Sequence, residues 1–165
     1  MFYESVFRML QKKNVRHAVA GGVALVLHGV VRFTADLDLI VDLEQENLRR
    51  FIQAMNELGY RPRNPVQAED FLDPANRDQW KREKGMEVFS FVDPAQPLTI
   101  VDVFIEEKIP FHEIERDLVR ITAKGVTIPV VSPLHLKRLK KAAGRPQDLA
   151  DIEALDALEK AREGK

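Results

Sequence analysis

Two short segments constrain this chain more than anything else in it. The first is Gly21-Gly22, set between the runs His17-Ala18-Val19-Ala20 and Val23-Ala24-Leu25-Val26-Leu27-His28, and the second is Asp36-Leu37-Asp38-Leu39-Ile40-Val41. The first segment reads as a short buried strand ending at Ala20, a turn at the glycines and the start of a helix at Val23. Glycines at such a turn tolerate positive φ and let the backbone approach a ligand, while the free N–H groups of the new helix attract anions, so a polyphosphate fits there. In the second segment apolar and acidic residues alternate, which points Leu37, Leu39 and Val41 at a core and puts Asp36 and Asp38 together on the opposite face. Two acids so placed repel unless a divalent cation lies between them. Either segment alone is ordinary, since Gly-Gly is commonly a turn and Asp-x-Asp commonly a solvated strand face. Together they pair a phosphate cradle with a metal-binding acid pair.

A third acid adds weight. Leu98-Thr99-Ile100-Val101-Asp102-Val103-Phe104-Ile105 is strongly β-prone with one charge in its middle. A buried carboxylate without a partner is costly, so Asp102 either faces water from an edge strand or lies beside the other two acids. In the second case three carboxylates converge in the arrangement that holds two Mg²⁺ ions roughly 3.5–4 Å apart for in-line phosphoryl chemistry.

Gly-Gly, a gap, Asp-x-Asp and a single Asp on a later strand resemble the nucleotidyltransferase superfamily of DNA polymerase beta. Arg32-Phe33-Thr34-Ala35-Asp36-Leu37-Asp38 and Lys140-Lys141-Ala142-Ala143-Gly144-Arg145-Pro146-Gln147-Asp148-Leu149-Ala150-Asp151-Ile152 are similar to the small AbiEii-type and minimal nucleotidyltransferases associated with toxin–antitoxin systems. The resemblance implies an α+β nucleotidyltransferase fold, a mixed and mostly antiparallel sheet flanked by helices, with helices at the C-terminal end. It implies transfer of an NMP from an NTP to an acceptor hydroxyl with release of pyrophosphate, dependent on Mg²⁺ or Mn²⁺, with two ions. Asp36, Asp38 and Asp102 would be the catalytic metal ligands, and Gly21, Gly22, Arg32, Thr34, Lys140, Arg145 and Asp148 would serve the nucleotide. The donor is an NTP, with ATP binding among the expectations and no preference among the four marked by the sequence, and a cognate antitoxin is an expected partner. The chain departs from the family pattern at Val23, where Ser or Thr is frequent, at Thr34, the usual Ser, and at Gln147, a frequent Lys. The change at Val23 removes one phosphate hydrogen bond and leaves the backbone cradle untouched.

Length and composition fit a compact enzyme. The 165 residues, 45% hydrophobic and 31% charged, predict one domain, with a core at about 14–131 and a C-terminal helical segment at about 132–163. No apolar run approaches a membrane span and Met1-Phe2-Tyr3-Glu4-Ser5 has no secretory pattern, so the expected location is the cytoplasm, away from membranes. The absence of cysteine excludes disulfides, thiolate zinc sites and Cys nucleophiles. A net charge of -1 gives no general attraction for nucleic acid, so RNA binding would need a local patch.

Along the chain, Phe2 to Lys12 predicts an amphipathic helix with Phe2, Val6, Phe7 and Leu10 on one face. Asp42 reads as the cap of a helix whose stripe is Leu48, Phe51, Ile52, Met55 and Leu58, with Gln45 as capping-box partner and Gly59 as its end. Pro62 and Pro65 interrupt the chain, and Phe71 to Lys84 reads as irregular or short helix. Met86 to Val92 and Leu98 to Ile105 predict an antiparallel hairpin across Asp93-Pro94-Ala95-Gln96-Pro97. A short helix near Phe111 to Leu118 precedes a second hairpin, Val119 to Ala123 and Val126 to Val131, turning at Lys124-Gly125. Ser132 and Pro133 open a helix to Ala143, and Pro146 opens the last one.

Lys137, Arg138, Lys140, Lys141 and Arg145 form a basic cluster dense enough for a triphosphate or an RNA backbone. Lys137, Arg138 and Lys141 read as a solvated face near a helix C-terminus, while Lys140 and Arg145 stand at motif positions of the family that the chain resembles, and that resemblance implies them as phosphate contacts. Asp148 and Asp151 share a helical face opposite a stripe of Leu149, Ile152, Leu155 and Leu158. His17, His28, His112 and His135 lack metal-ligand spacing, and Ser5, Ser90 and Ser132 lack the glycines of a nucleophile elbow. Trp80, among Arg77, Lys81, Arg82 and Lys84, reads more readily as a half-buried anchor than as a base-stacking platform.

The favoured acceptor is a macromolecule, RNA or protein, because one small domain offers no second lobe to enclose a small molecule. Two other readings stay open: a catalytically silent nucleotide-binding or antitoxin-like module on the same fold, and a two-metal hydrolase that would release no pyrophosphate. A homodimer is open to a chain this small, although no heptad or interface pattern marks one.

Overall fold

A computed structural model describes residues 2–164. Seven strands form one sheet in the order β3-β4-β5-β2-β1-β7-β6: β1 His17–Ala20, β2 Leu37–Val41, β3 Arg61–Pro62, β4 Val88–Asp93, β5 Gln96–Phe104, β6 Val119–Ala123 and β7 Val126–Val130. Four neighbouring pairs are antiparallel, and β2 with β5 and β1 with β7 are parallel, so the sheet is mixed and mostly antiparallel as expected. The seven α-helices are α1 Glu4–Lys12, α2 Gly21–His28, α3 Gln45–Glu57, α4 Pro74–Lys84, α5 Phe111–Arg116, α6 Pro133–Ala143 and α7 Pro146–Glu163, with a 3-10 turn at Ala68–Leu72. Among the described residues no helix is long and apolar enough to cross a membrane.

Burial explains the centre of the sheet. All four residues of β1 are buried, as are Leu37, Leu39, Ile40 and Val41 of β2, because both strands lie inside the sheet and are covered on their faces. The core continues through Phe51 and Met55 of α3, Phe89 and Phe91 of β4, and Val101 and Val103 of β5. In this apolar setting Asp38 is the one acid of β2.

Several local expectations need correction. Phe2 is 89% exposed, because Tyr3 takes a left-handed turn and α1 begins only at Glu4, which throws Phe2 off the helical stripe. The cap of α3 is Glu44, whose carboxylate accepts from the N–H groups of Glu46 and Asn47, while Asp42 accepts from Glu44 N–H and pairs with Arg16. The segment expected to be irregular or short helix is helical over 11 residues, α4, capped by Asp73 with Pro74 in its first turn. Its only buried residue is Arg77, so it has no apolar stripe to announce it. Trp80 stacks on Phe89, with ring centroids 5.0 Å apart and planes 18° from parallel, and so anchors α4 to the sheet.

Candidate active site

The register of the sheet places the glycine turn and two of the acids in one row. Ala20, the last residue of β1, is opposite Asp38, and Asp38 is opposite Asp102 on β5. Directly paired residues project to the same face, so these carboxylates lie side by side at a strand spacing of about 4.8 Å. Asp102 is therefore on an interior strand. On its far side Ser90 of β4 is its register partner, and the Ser90 hydroxyl donates to Asp102 Oδ1 at 2.5 Å.

The segment leading to β2 has no regular secondary structure and bends at Asp36. Arg32, Thr34, Asp36 and Asp38 are half-buried in alternation with exposed Val31, Phe33 and Ala35 and buried Leu37. That alternation carries the Arg32 and Thr34 side chains back over the glycines. A Cβ on Gly22 would collide with the Thr34 hydroxyl and would lie 3.6 Å from the Arg32 guanidinium carbon. A Cβ on Gly21, which has φ +61°, would overlap the Asp38 carboxylate. Both glycines are thus required by contact, and Gly21 by its backbone as well. The helix begins at Gly21 itself, with no side chain capping its first N–H groups. Although Val23 carries no hydroxyl, Thr34 brings one to the same turn.

Burial, reinforced by the charges of Asp102 and Asp36, pushes the Asp38 carboxyl up to about 7, against the opposing pull of Lys140 and Arg145. Asp102 is raised as well, first by burial and also by Asp36, although the Ser90 hydrogen bond and Arg63 oppose the shift. Among the described residues none of the three acids has an ion-pair partner within 4.0 Å. Hard oxygen donors that repel one another and lack a cation are what a divalent ion would satisfy. Asp36, Asp38 and Asp102 therefore fit such an ion by their chemistry. Among the described residues no three His, Asp or Glu side chains, these three included, are already gathered closely enough to hold an ion.

The C-terminal helices bring their charges to this site. Asp148 and Asp151 are 1% and 3% exposed, so the expectation that they lie opposite the apolar stripe of α7 is corrected: both face inward, with Leu155, while Leu149 is 51% exposed. They turn inward because cations meet them there. Asp151 accepts from Arg32 at 2.6 Å, Lys140 at 2.8 Å and Gln147 at 3.0 Å. Asp148 accepts from Arg145 Nε at 2.7 Å and from Lys140 at 3.4 Å. Burial alone would raise both acids, but these partners outweigh it and hold them below the usual carboxylate range. Lys137 pairs with Asp156 and Glu159 of α7 at 2.8 and 2.7 Å and so ties α6 to α7.

Three residues of this neighbourhood escape sequence reasoning as site residues: Ser90, Asp151 and Tyr3. The Tyr3 hydroxyl lies 2.5 Å from the carbonyl oxygen of Ala35, the residue before Asp36. Two of the histidines are held in the interior: His17 is buried with Nδ1 on the Val15 carbonyl and its pKa is driven down to about 4 by burial, and His28 Nε2 meets the Val131 carbonyl.

No protein-family profile and no curated protein sequence matches the chain. Solved structures do match it. The lincosamide antibiotic adenylyltransferase LnuA, lincomycin-bound, superposes with a TM-score of 0.59 at 15% identity, over 93% of each chain. The ANT(2'')-Ia structure in complex with adenylyl-2''-tobramycin gives a TM-score of 0.57 at 12% identity, over 97% of this chain and 92% of that one. An antigenic nucleotidyltransferase-like protein from Paracoccidioides brasiliensis gives 0.56 at 16% identity, over 93% of this chain and 73% of that one. The chain has the nucleotidyltransferase fold. Within this fold the glycine turn, the paired acids on β2 and β5 and the charges of α6 and α7 meet at one end of the central strands.

Proposed function

We propose that this chain is a metal-dependent nucleotidyltransferase that moves an NMP from an NTP to an acceptor hydroxyl and releases pyrophosphate. The observation that carries the reading is the row Ala20, Asp38, Asp102 across three adjacent strands, with the Asp38 carboxylate packed against Gly21, the first residue of the helix that follows Ala20. The backbone N–H groups of Gly21, Gly22 and Val23 receive the phosphates, flanked by Arg32 and Thr34. Asp36, Asp38 and Asp102 would hold Mg²⁺ or Mn²⁺, two ions by the number of acids, and such ions would neutralise the phosphates and lower the pKa of the attacking hydroxyl. Asp102 accepts the proton of that hydroxyl as its oxygen attacks the α-phosphorus. The bond from the α-phosphorus to the bridging oxygen breaks, and pyrophosphate leaves with its charge met by Lys140, Arg145 and Arg32, which Asp148 and Asp151 orient.

RNA or protein is the favoured acceptor, with a toxin-like role beside a cognate antitoxin, in keeping with the resemblance of the motifs. A small-molecule hydroxyl is a second reading, favoured by one observation: LnuA, almost wholly covered by this chain, is lincomycin-bound, so chain length does not argue against a small acceptor. Incubation with each α-³²P-labelled NTP, Mg²⁺ or Mn²⁺ and, separately, total RNA, lysate protein and a panel of small polyols and aminoglycosides tests the reading, with Asp36→Ala alongside. Label moved by wild type alone establishes the transfer and the acceptor class. No transfer and no metal-dependent nucleotide binding would turn the reading to a silent module on the same fold, and loss of NTP without pyrophosphate release would turn it to a hydrolase.

A further inference from the structure

Where β2 begins, its pairing with β5 stops: Leu37, opposite Val101, is its first paired residue. Just upstream, the Tyr3 hydroxyl lies between the two strands, 2.5 Å from the Ala35 carbonyl oxygen, 3.3 Å from the Ile100 nitrogen and 3.1 Å from the Ile100 oxygen. A phenol has one proton to donate. Ala35, much the closest acceptor, takes it, and the Ile100 N–H donates to the phenol oxygen in turn. One oxygen atom therefore stands where a direct bond from Ile100 N–H to the Ala35 carbonyl would continue the parallel ladder. The strands part by its width next to Asp36 on one side and two residues before Asp102 on the other.

Tyr3 itself is held in an unusual state. Its backbone has φ 61° and ψ 18°, the left-handed region that residues other than glycine seldom use. Its ring is buried in the core, and its carbonyl accepts the Phe7 N–H at 3.0 Å. Residues persist in such conformations where their surroundings over-determine them, and these cluster at functional sites. Burial, with lesser contributions from the charges of Asp36 and Asp102, raises the phenol above its ordinary pKa.

We propose that Tyr3 is a positioning residue: by spacing Ala35 from Ile100 through its hydroxyl, it sets the separation of the Asp36 carboxylate from Asp102 and so the width of the cation site. The spacing stands on the geometry alone, and its consequence for cations rests on the nucleotidyltransferase reading. Tyr3→Phe keeps the ring and removes the oxygen. Crystal structures of wild type and variant, with Mn²⁺ titrations of both followed by electron paramagnetic resonance, test it. The expected result is a closed rung, with Ile100 N–H bonded directly to the Ala35 carbonyl, Asp36 drawn towards Asp102, and Mn²⁺ affinity weakened about tenfold, as for loss of a group that orients a ligand. An Asp36 that does not move overturns the proposal, as does a lower melting temperature with unchanged Mn²⁺ affinity. Wild type that binds no Mn²⁺, while Asp36 shifts in Tyr3→Phe, keeps the spacing role and refutes the metal-dependent reading. Should Tyr3→Phe not fold, Tyr3→4-aminophenylalanine restores a polar bridge and should hold Mn²⁺ within about twofold of wild type. A folded aminophenylalanine variant as weak as Asp36→Ala overturns the proposal.

Discussion

Asp38 and Asp102 face each other directly across the parallel pairing of β2 and β5, and neither has a cation partner among the described residues. Such a pair stores repulsion that a bound cation would relieve. Asp36→Ala and Asp38→Ala should therefore each lower transfer by about a thousandfold or more, as for loss of a central electrostatic group. Without metal, the same variants should unfold at the same denaturant concentration as wild type or a higher one. Steady-state transfer and urea unfolding in EDTA check both halves, and turnover within tenfold of wild type in either variant would remove the acids from the mechanism.

The raised carboxyl of Asp38 gives stability a definite pH dependence. Its folded value of about 7 lies above the ordinary value of 3.8, so between these limits the native state holds the extra proton. Stability from this group is then fully present below about pH 4 and is lost as pH rises through 7. Asp148 and Asp151, held below the ordinary range, act in the opposite sense: their contribution is present above about pH 4 and is lost on further acidification. Comparing wild type with Asp38→Asn isolates the first effect. In EDTA the variant should become the more stable of the two as pH rises from 5 to 8, by on the order of 2 kcal/mol. Mg²⁺ should close the gap by stabilising wild type alone. A difference in unfolding free energy that is flat with pH would show that Asp38 titrates normally.

Asp151 joins three elements through one carboxylate: Arg32 before β2, Lys140 of α6 and Gln147 of α7. Asp151→Ala would leave two cations without their shared partner in a mostly buried place, which should cost about 3 kcal/mol. Asp151→Asn keeps the volume and some hydrogen bonding, so it should fold but let Arg32 and Lys140 drift from the phosphates. For that variant KM for the NTP should rise about tenfold with a smaller change in kcat, because binding held in ground and transition states alike is what is lost. An unchanged KM would make the cluster a purely structural tie between helices.

The parts of this site that the sequence discloses are those whose signals are local. The strand, glycine turn and helix at 17–28 and the alternation at 36–41 follow from backbone freedom and period-two burial, and both hairpins are marked by their turn residues. What stays hidden depends on distant partners. Asp148 and Asp151 look like outward acids of a helix first turn until Arg32 and Lys140 are known to meet them. Tyr3 reaches partners 32 and 97 residues away. The Ser90 pairing is concealed by an irregularity: Asp93 pairs with Gln96, and a regular hairpin would then set Ser90 against Thr99, but the register shifts at Val92/Asp93 and brings Asp102 there instead. In α4 an almost wholly polar helix offers no periodic apolar signal, and only its Asp73-Pro74 start is local.

Gly21 offers a test that separates backbone strain from the shape of the site. Its φ of +61° makes any side chain unfavourable, and a Cβ would also overlap the Asp38 carboxylate. Gly59 has a similar backbone, φ +82°, with nothing within 4 Å of where a methyl group would sit. Gly59→Ala should thus cost about 1 kcal/mol from backbone strain alone and leave transfer unchanged. Gly21→Ala should cost more, on the order of 3 kcal/mol, and abolish transfer, because the carboxylate must move off the row it shares with Asp102. Removing the obstructing atoms should recover part of the stability and none of the activity, so Gly21→Ala with Asp38→Ala should be more stable than the sum of the single changes. Strict additivity in denaturant unfolding would mean that the Gly21 backbone and the Asp38 carboxylate do not touch, and that the phosphate turn and the acid pair are not built as one unit.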